Sequence, residues 1–434
     1  MGKLVNALFG GNLFKGDKGV WMIYFFLCMI SLVEVYSASS SLTYESGNHW
    51  DPMIKQAGFL VAGFFVILVV HRIPCRMFMI VAPFLLVASI ILLAYTSIHA
   101  GAINNANRWL ELGPISFQPS EMAKAGLIMS VAVVLAKTQT ERKVVKNGVT
   151  KIESGAIKGK RNTAFKIIAW MLVIVCGLIA PENFSTAFML GAVIIVMMFI
   201  GRIPLDLMAK GLLVVFAAGA IFATVLITVD DNVLDKVPMG HRMTTWKHRI
   251  TDKFGGEESK DSTNFIFENA QVAHANMAVA NSNIIGRGPG NSVERDFLSH
   301  AESDFIFSIV IEELGLFGAI FVIFLYVTLL IRVGRIAQKC KLFFPAYMVI
   351  GIGMMMVLQA LVNMGVAVDL FPVTGQPLPF ISKGGTSIIF SSFYIGVILS
   401  VSRYAEKVSA TKEEPAENPS ENETSEYYNQ VGMA

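Results

Sequence analysis

At 434 residues, 54% hydrophobic and only 15% charged, with a formal net charge of +3, the composition argues against a soluble globular protein and against a nucleic-acid binder. Apolar runs of the length a bilayer demands recur along the chain, so it reads as an all-α, polytopic membrane protein. Its four cysteines, Cys28, Cys75, Cys176 and Cys340, are scattered singly through or beside apolar segments, which predicts neither a metal site nor a disulfide framework.

Residues 1–18, with Lys3, Lys15 and Lys18, form a basic lead-in, and the apolar run that follows is too long for a cleaved signal. Ten transmembrane helices are expected, over about 19–39, 54–71, 77–97, 120–137, 164–180, 185–202, 206–228, 305–333, 343–367 and 386–403. Lys and Arg then set their orientation. His71, Arg72 and Arg76 follow the second helix, a strongly basic 137–166 segment follows the fourth, Arg202 and Lys210 follow the sixth, and Arg332, Arg335, Lys339 and Lys341 follow the eighth. The intervening short loops are nearly free of basic residues, so both termini are expected in the cytoplasm. The membrane domain is then 19–404, with a large extracytoplasmic loop of about 229–304 between helices seven and eight. That loop holds an amphipathic stretch over 264–280 and a turn, Gly286-Arg287-Gly288-Pro289-Gly290; a loop of this length signals a function. Residues 405–434 are Glu-rich with Pro415 and Pro419, and are expected to be a disordered cytoplasmic tail.

With this topology the fourth, sixth, eighth and tenth helices all begin at the outer surface, and each beginning is polar. Arg108, Trp109, Ser120, Glu121 and Lys124 mark the fourth, Glu182, Asn183, Ser185 and Thr186 the sixth, Asp304 the eighth, and Ser382, Lys383, Gly384 and Gly385 the tenth. Free N–H groups at clustered helix N-termini favour an anion, such as a phosphate or pyrophosphate. Arg108, Lys124 and Lys383 would add charge, and Gly384-Gly385 a close backbone approach. Asp304, a carboxylate where water meets hydrocarbon, is suited to act as a general base.

Plainer roles exist for each. Glu121 and Lys124, three apart, can neutralise one another; Ser120 and Ser382 can cap helices; Gly384-Gly385 can let helices pack; Trp109 can anchor at the interface. His241, His248, His274 and His300 lie in the outer loop with no metal spacing. The residues by themselves leave an enzyme and a transporter both open.

The chain resembles the SEDS family, the FtsW/RodA proteins of bacterial cell-wall synthesis. The likeness rests on Asn107-Arg108-Trp109, Phe117-Gln118-Pro119-Ser120-Glu121-Met122-Ala123-Lys124, Gly290-Asn291-Ser292-Val293, Ser303-Asp304-Phe305-Ile306-Phe307 with Glu312-Glu313-Leu314-Gly315, Val362-Asn363-Met364-Gly365, and Leu378-Pro379-Phe380-Ile381-Ser382 with Gly384-Gly385. The Gly-Asn-Ser and Val-Asn-x-Gly forms look more like FtsW, the division branch, than RodA, the elongation branch.

The resemblance implies a peptidoglycan glycosyltransferase that joins lipid II units at the outer face of the inner membrane, at the division septum. Asp304 would be its base and an undecaprenyl pyrophosphate its leaving group, with inversion. Arg108, Trp109, Glu121 and Lys124 would line or brace the cavity, with Ser382, Lys383, Gly384 and Gly385 at the anion. It also implies a class B penicillin-binding protein, a transpeptidase, and other divisome membrane proteins as partners. A divalent cation at the pyrophosphate is the one cofactor left open. A lipid II flippase, a division-site scaffold and an elongation role are the alternatives. Three departures stand out: Asn183 replaces an Asp of many relatives, Lys383 replaces a Tyr, and the His before the aspartate is lost in Ser299-His300-Ala301-Glu302-Ser303-Asp304.

Overall fold

A computed structural model of the chain describes residues 14–38, 50–99, 110–112, 115–146, 149–156, 158–229, 263–298 and 301–413. Arg108, Trp109, His241, His248 and His300 lie outside them. The helices, in chain order, are α1 (Lys18–Ala38), α2 (Asp51–Val70), α3 (Cys75–His99), α4 (Pro119–Thr138), α5 (Lys158–Ile179), α6 (Phe184–Ile200), α7 (Leu205–Thr228), α8 (Thr263–Ala280), α9 (Ile306–Lys339), α10 (Phe343–Ala367) and α11 (Gly385–Glu413). Every helix expected from hydropathy coincides with one of these, and α8 covers the amphipathic stretch expected over 264–280. Among the described residues, eight helices are long and apolar enough to cross a membrane, and the apolar α6 is shorter. The chain is a multi-pass membrane protein.

Exposure follows from the solvent each helix meets. α4, α10 and α11 are mostly buried and form the centre, while α2, α3 and α5 turn apolar side chains such as Phe65, Phe84 and Trp170 outward, as lipid-facing helices do. α3 and α4 approach closely because Gly126 has no Cβ; one there would lie 3.0 Å from the Leu86 backbone.

Two small antiparallel hairpins supplement the helices. β1 (Leu110–Leu112) pairs with β2 (Ile115–Phe117) just before α4, and β3 (Gln139–Lys146) pairs with β4 (Val149–Ala156) just after it. The second lies in the basic segment that hydropathy left as a loop. Its sequence carries a hairpin signal, Asn147-Gly148 flanked by Val144-Val145 and Val149. The final helix runs past residue 404 to Glu413, through the good helix formers Ala405, Glu406 and Lys407.

α9 is the longest element and it is broken. Gly315 has φ 70° and ψ −171°, outside helical space, with helix on either side. The glycine-rich turn between α8 and α9 inserts at this break. Arg287 N donates to Glu312 O at 3.0 Å and Gly288 N to Glu313 O at 2.8 Å, while Leu316 N and Phe317 N donate to Asn283 O and Ile284 O, both at 3.2 Å. The loop thus satisfies backbone groups that the interruption frees, as burial in a membrane protein requires. Leu316–Lys339 alone is about 36 Å long, enough to span hydrocarbon of about 30 Å.

Candidate active site

Asp304 sits in the turn that opens α9, half-buried. It lies at the end of the bundle opposite the turns that carry Arg72 and Arg202 and the end of α9 that carries Arg335. Two other elements pin its main chain. Asn363, near the end of α10, donates from Nδ2 to Asp304 O at 3.0 Å and to Gln376 O at 2.8 Å. Ser382, in the turn before α11, donates to Ser303 O at 2.6 Å and accepts from Leu378 N at 2.7 Å.

The turn before α11 is held under tension. Phe380 has φ 67°, a left-handed conformation that costs a bulky L-residue about 1–3 kcal/mol. Its ring is buried edge-on to Tyr24 at 5.2 Å, and Tyr326 donates to the neighbouring Pro379 O at 2.5 Å. These contacts offset the strain and fix Ser382 and Lys383 against the 302–304 turn. Lys383 N donates to Glu302 O at 2.8 Å, and its ammonium lies 3.6 Å from Glu302 Oε1. The Lys that departs from the family pattern therefore has its carboxylate beside it.

Glu121 and Lys124 lie in the first turns of α4 and are buried together. Lys124 Nζ is 2.7 Å from Glu121 Oε1 and 2.9 Å from Gln359 Oε1, and its side chain is fully shielded. Gln359 donates in turn to Pro377 O at 3.0 Å, next to the Gln376 carbonyl that Asn363 holds. Gln376 Nε2 reaches Thr186 Oγ1 at 2.7 Å, and Asn183 Oδ1 caps α6 by accepting from Thr186 N at 3.1 Å. A continuous polar path thus joins the buried ion pair, through Gln359, the 376–377 strand of chain and Asn363, to the backbone of Asp304.

The other sequence-derived residues fall into place around this path. Ser120 does not cap α4: Gln118 occupies the cap position and Ser120 Oγ is buried without a hydrogen-bond partner. Gly385 packs against the Phe59 ring, where a Cβ would lie 2.7 Å away, and neither Gly384 nor Gly385 has the positive φ of an anion nest. Ser382 and Lys383 contact Ser303 and Glu302, the two residues before Asp304; Glu121 and Lys124 join only through intermediaries.

A second acidic group lies at the break in α9. Glu312 accepts from Ser292 Oγ at 2.5 Å and Val293 N at 3.1 Å, and Arg287 Nη1 is 3.4 Å from Glu312 Oε1. Glu313 accepts from Ser37 Oγ, from Gly290 N at 3.0 Å and from Ser292 N at 3.2 Å. Both are fully buried, clamping the 287–294 segment onto α9. Glu34, on α1, is also fully buried, and neither of its carboxylate oxygens has a hydrogen-bond partner.

Gln359 and Gln376 escaped the sequence reading. Gln359 could have been found as an amide inside an apolar span, a costly placement that implies a partner. Gln376 lies in a loop, where polar residues are ordinary and carry no such signal.

The model of the FtsW/RodA/SpoVE cell cycle proteins matches residues 18–407. A probable peptidoglycan glycosyltransferase FtsW of Enterococcus hirae is 30% identical over 404 residues, covering 90% of this chain and 94% of that one. One from Bacillus subtilis is 29% identical over 390 residues, covering 87% and 88%. Among solved structures, a chain of a peptidoglycan synthase complex superposes with a TM-score of 0.65 at 23% identity, covering 90% of this chain and 98% of that one. Thermus thermophilus RodA, a rod shape determining protein, gives 0.58 at 22%, covering 89% and 97%, and the two share the fold with this protein. The chain belongs to the FtsW/RodA/SpoVE family of cell cycle proteins.

Proposed function

We propose that this protein is a peptidoglycan glycosyltransferase that polymerises lipid II, with Asp304 as general base. The observation that carries the reading is the placement of Asp304. Its carboxylate stands on a turn whose main chain is fixed by Asn363 and by the Ser382 turn, at the end of the bundle away from the basic loops. The activity in the names of its full-length relatives supports the same reading.

The chemistry follows from that placement. The carboxylate takes the proton of the acceptor sugar hydroxyl as its oxygen attacks the anomeric carbon of the donor. The bond from that carbon to the pyrophosphate oxygen breaks, undecaprenyl pyrophosphate leaves, and the carbon inverts. A positioned base of this kind contributes about 10²–10⁴-fold. Lys383, with Arg108, is suited to meet the charge that develops on the leaving group. Glu121 and Lys124 act as a brace rather than as exposed binding groups, since each is turned towards the other. A divalent cation at the pyrophosphate would take most of its ligands from the substrate. Among the described residues, no three His, Cys, Asp or Glu side chains gather to hold a metal.

The middle of the bundle bears on the flippase alternative. α4 fills it with Leu127, Ile128 and Met129, and α10 with Ile352, Met355 and Met356, all buried and apolar. A headgroup crossing the bilayer would need polar partners there, whereas a polymerase needs them only at the Asp304 end.

By the same family likeness, the reading includes the bacterial inner membrane, cytoplasmic termini, a septal location and a class B penicillin-binding protein partner. The test is polymerisation of labelled lipid II by the purified full-length protein with such a transpeptidase in proteoliposomes. A ladder of glycan strands is expected. Lipid II translocation without polymer would overturn the reading. A tagged copy confined to the side wall would replace division by elongation.

A further inference from the structure

We infer that the end of the bundle opposite Asp304 carries a binding site for one anionic phospholipid of the adjacent leaflet. The site is a crevice of about 810 Å³ between the start of α1, the far half of α9 and the end of α11. This volume is within the range of small-molecule sites, roughly 300–1,000 Å³.

Its two walls differ in character. Lys15, Lys18, Arg332, Arg403 and Lys407 bring five cations to the lining, against the two carboxylates Asp17 and Glu406. Of the two carboxylates, Asp17 is engaged within the protein and takes Arg332 with it, which leaves Lys15, Lys18, Arg403 and Lys407 against Glu406. Asp17 Oδ1 accepts from Gly19 N at 2.7 Å and Val20 N at 3.1 Å as it caps α1, and Asp17 Oδ2 is 3.5 Å from Arg332 Nη1. The remaining lining is apolar, with Met22, Phe26, Phe321 and Phe324 along the lipid-facing flank. Met22 and Phe324 are each 59% exposed, and Phe26 44%.

The crevice is built rather than an accident of loops. Asp17 N donates to Ser402 Oγ at 2.9 Å, Trp21 Nε1 to Lys15 O at 3.3 Å, and Arg403 Nη2 to Arg72 O at 2.8 Å, which ties α1, α11 and the α2–α3 turn together around it. Cations at headgroup height above an aromatic flank that opens sideways to acyl chains match a phosphodiester lipid with net negative charge. Basic pockets between membrane helices bind such headgroups, with about 1 kcal/mol for each Lys or Arg at the surface. The inference is independent of glycosyl transfer.

The test exposes the purified full-length protein to phosphatidylglycerol and phosphatidylcholine of matched chains, and reads retained lipid by native mass spectrometry. The wild type is expected to retain phosphatidylglycerol preferentially. Lys15→Gln/Lys18→Gln/Lys407→Gln is expected to lower that preference about a hundredfold, about fivefold per cation. Arg335→Gln/Lys339→Gln/Lys341→Gln, at the same end but outside the crevice, is expected to leave it intact. If the first triple variant does not fold, Lys15→Gln and Lys407→Gln singly should each show the fivefold loss. Equal retention of the two lipids by the wild type, or equal loss in both triple variants, overturns the proposal. So does displacement by soluble glycerol phosphate, which would make the ligand a free phosphate rather than a lipid.

Discussion

The side-chain amide of Asn363 lies 3.0 Å from the main-chain oxygen of Asp304 and 2.8 Å from that of Gln376, so a single side chain sets the spacing between the α9 turn and the α10–α11 loop. Neither bond involves the Asp304 carboxylate. Removing them should shift the base without altering its chemistry. Asn363→Ala is expected to lower kcat for lipid II polymerisation about a hundredfold, the cost of a misplacement near 1 Å, with KM changed only a fewfold. Asn363→Asp keeps the volume but loses the donor, and should fall as far. Initial rates over a range of lipid II concentration check both.

The Glu121–Lys124 pair gives a stability prediction. Both side chains are buried at 2.7 Å, so Lys124→Met alone strands a carboxylate and should cost about 3–5 kcal/mol. Lys124→Met combined with Glu121→Leu removes both charges and should recover most of that loss. Thermal unfolding in detergent measures each. Failure of the double variant to recover would show that the pair contributes more than mutual neutralisation, as through the Lys124–Gln359 bond.

At the break in α9 the prediction concerns backbone. Gly286 has φ +79°, and a Cβ there would run into the Glu313 carbonyl and Gly315 N. Gly286→Ala should cost about 1–3 kcal/mol from conformation alone, with the clash added. Because the loop's bonds to Glu312 and Glu313 depend on that approach, faster proteolysis between residues 282 and 298 should accompany the loss. Limited digestion followed by mass spectrometry reads it.

His71, in the α2–α3 turn, supplies a pH dependence. Its ring is buried beside Trp21 with Nδ1 2.9 Å from Ile67 O, and burial holds its pKa below the usual range. The unfolded chain takes up a proton near pH 6.5, which the folded ring resists, so stability is full above about 6.5 and falls as pH drops below it. His71→Gln should flatten the dependence of Tm on pH in that window.

Hydropathy located the membrane helices well, because a span must be long and apolar wherever it packs. That Ser382 and Lys383 gather beside the 302–304 turn was legible for a related reason: polar residues at the mouths of spans are few, and their coincidence is informative. Long-range pairing was not legible. Nothing in the local sequence links Lys124 to Gln359, or Ser37 to Glu313, since those contacts are set by which helices the bundle makes neighbours. The break at Gly315 was hinted at by Glu312-Glu313, costly at membrane depth, and by residues 315–333 being long enough to span alone; the entry of a loop there was not. The β3–β4 hairpin was signalled by Asn147-Gly148, but its strands are too rich in Lys, Arg and Glu to stand out as apolar segments.

The central claim is that the Asp304 carboxylate removes the acceptor proton. The direct measurement compares wild-type and Asp304→Asn protein, each reconstituted with its transpeptidase partner, in single-turnover extension of labelled lipid II. Asparagine preserves size and the main-chain bond to Asn363, so folding and lipid II binding should persist while the extension rate falls by about 10²–10⁴. Glycan strands formed by Asp304→Asn at the wild-type rate would contradict the account.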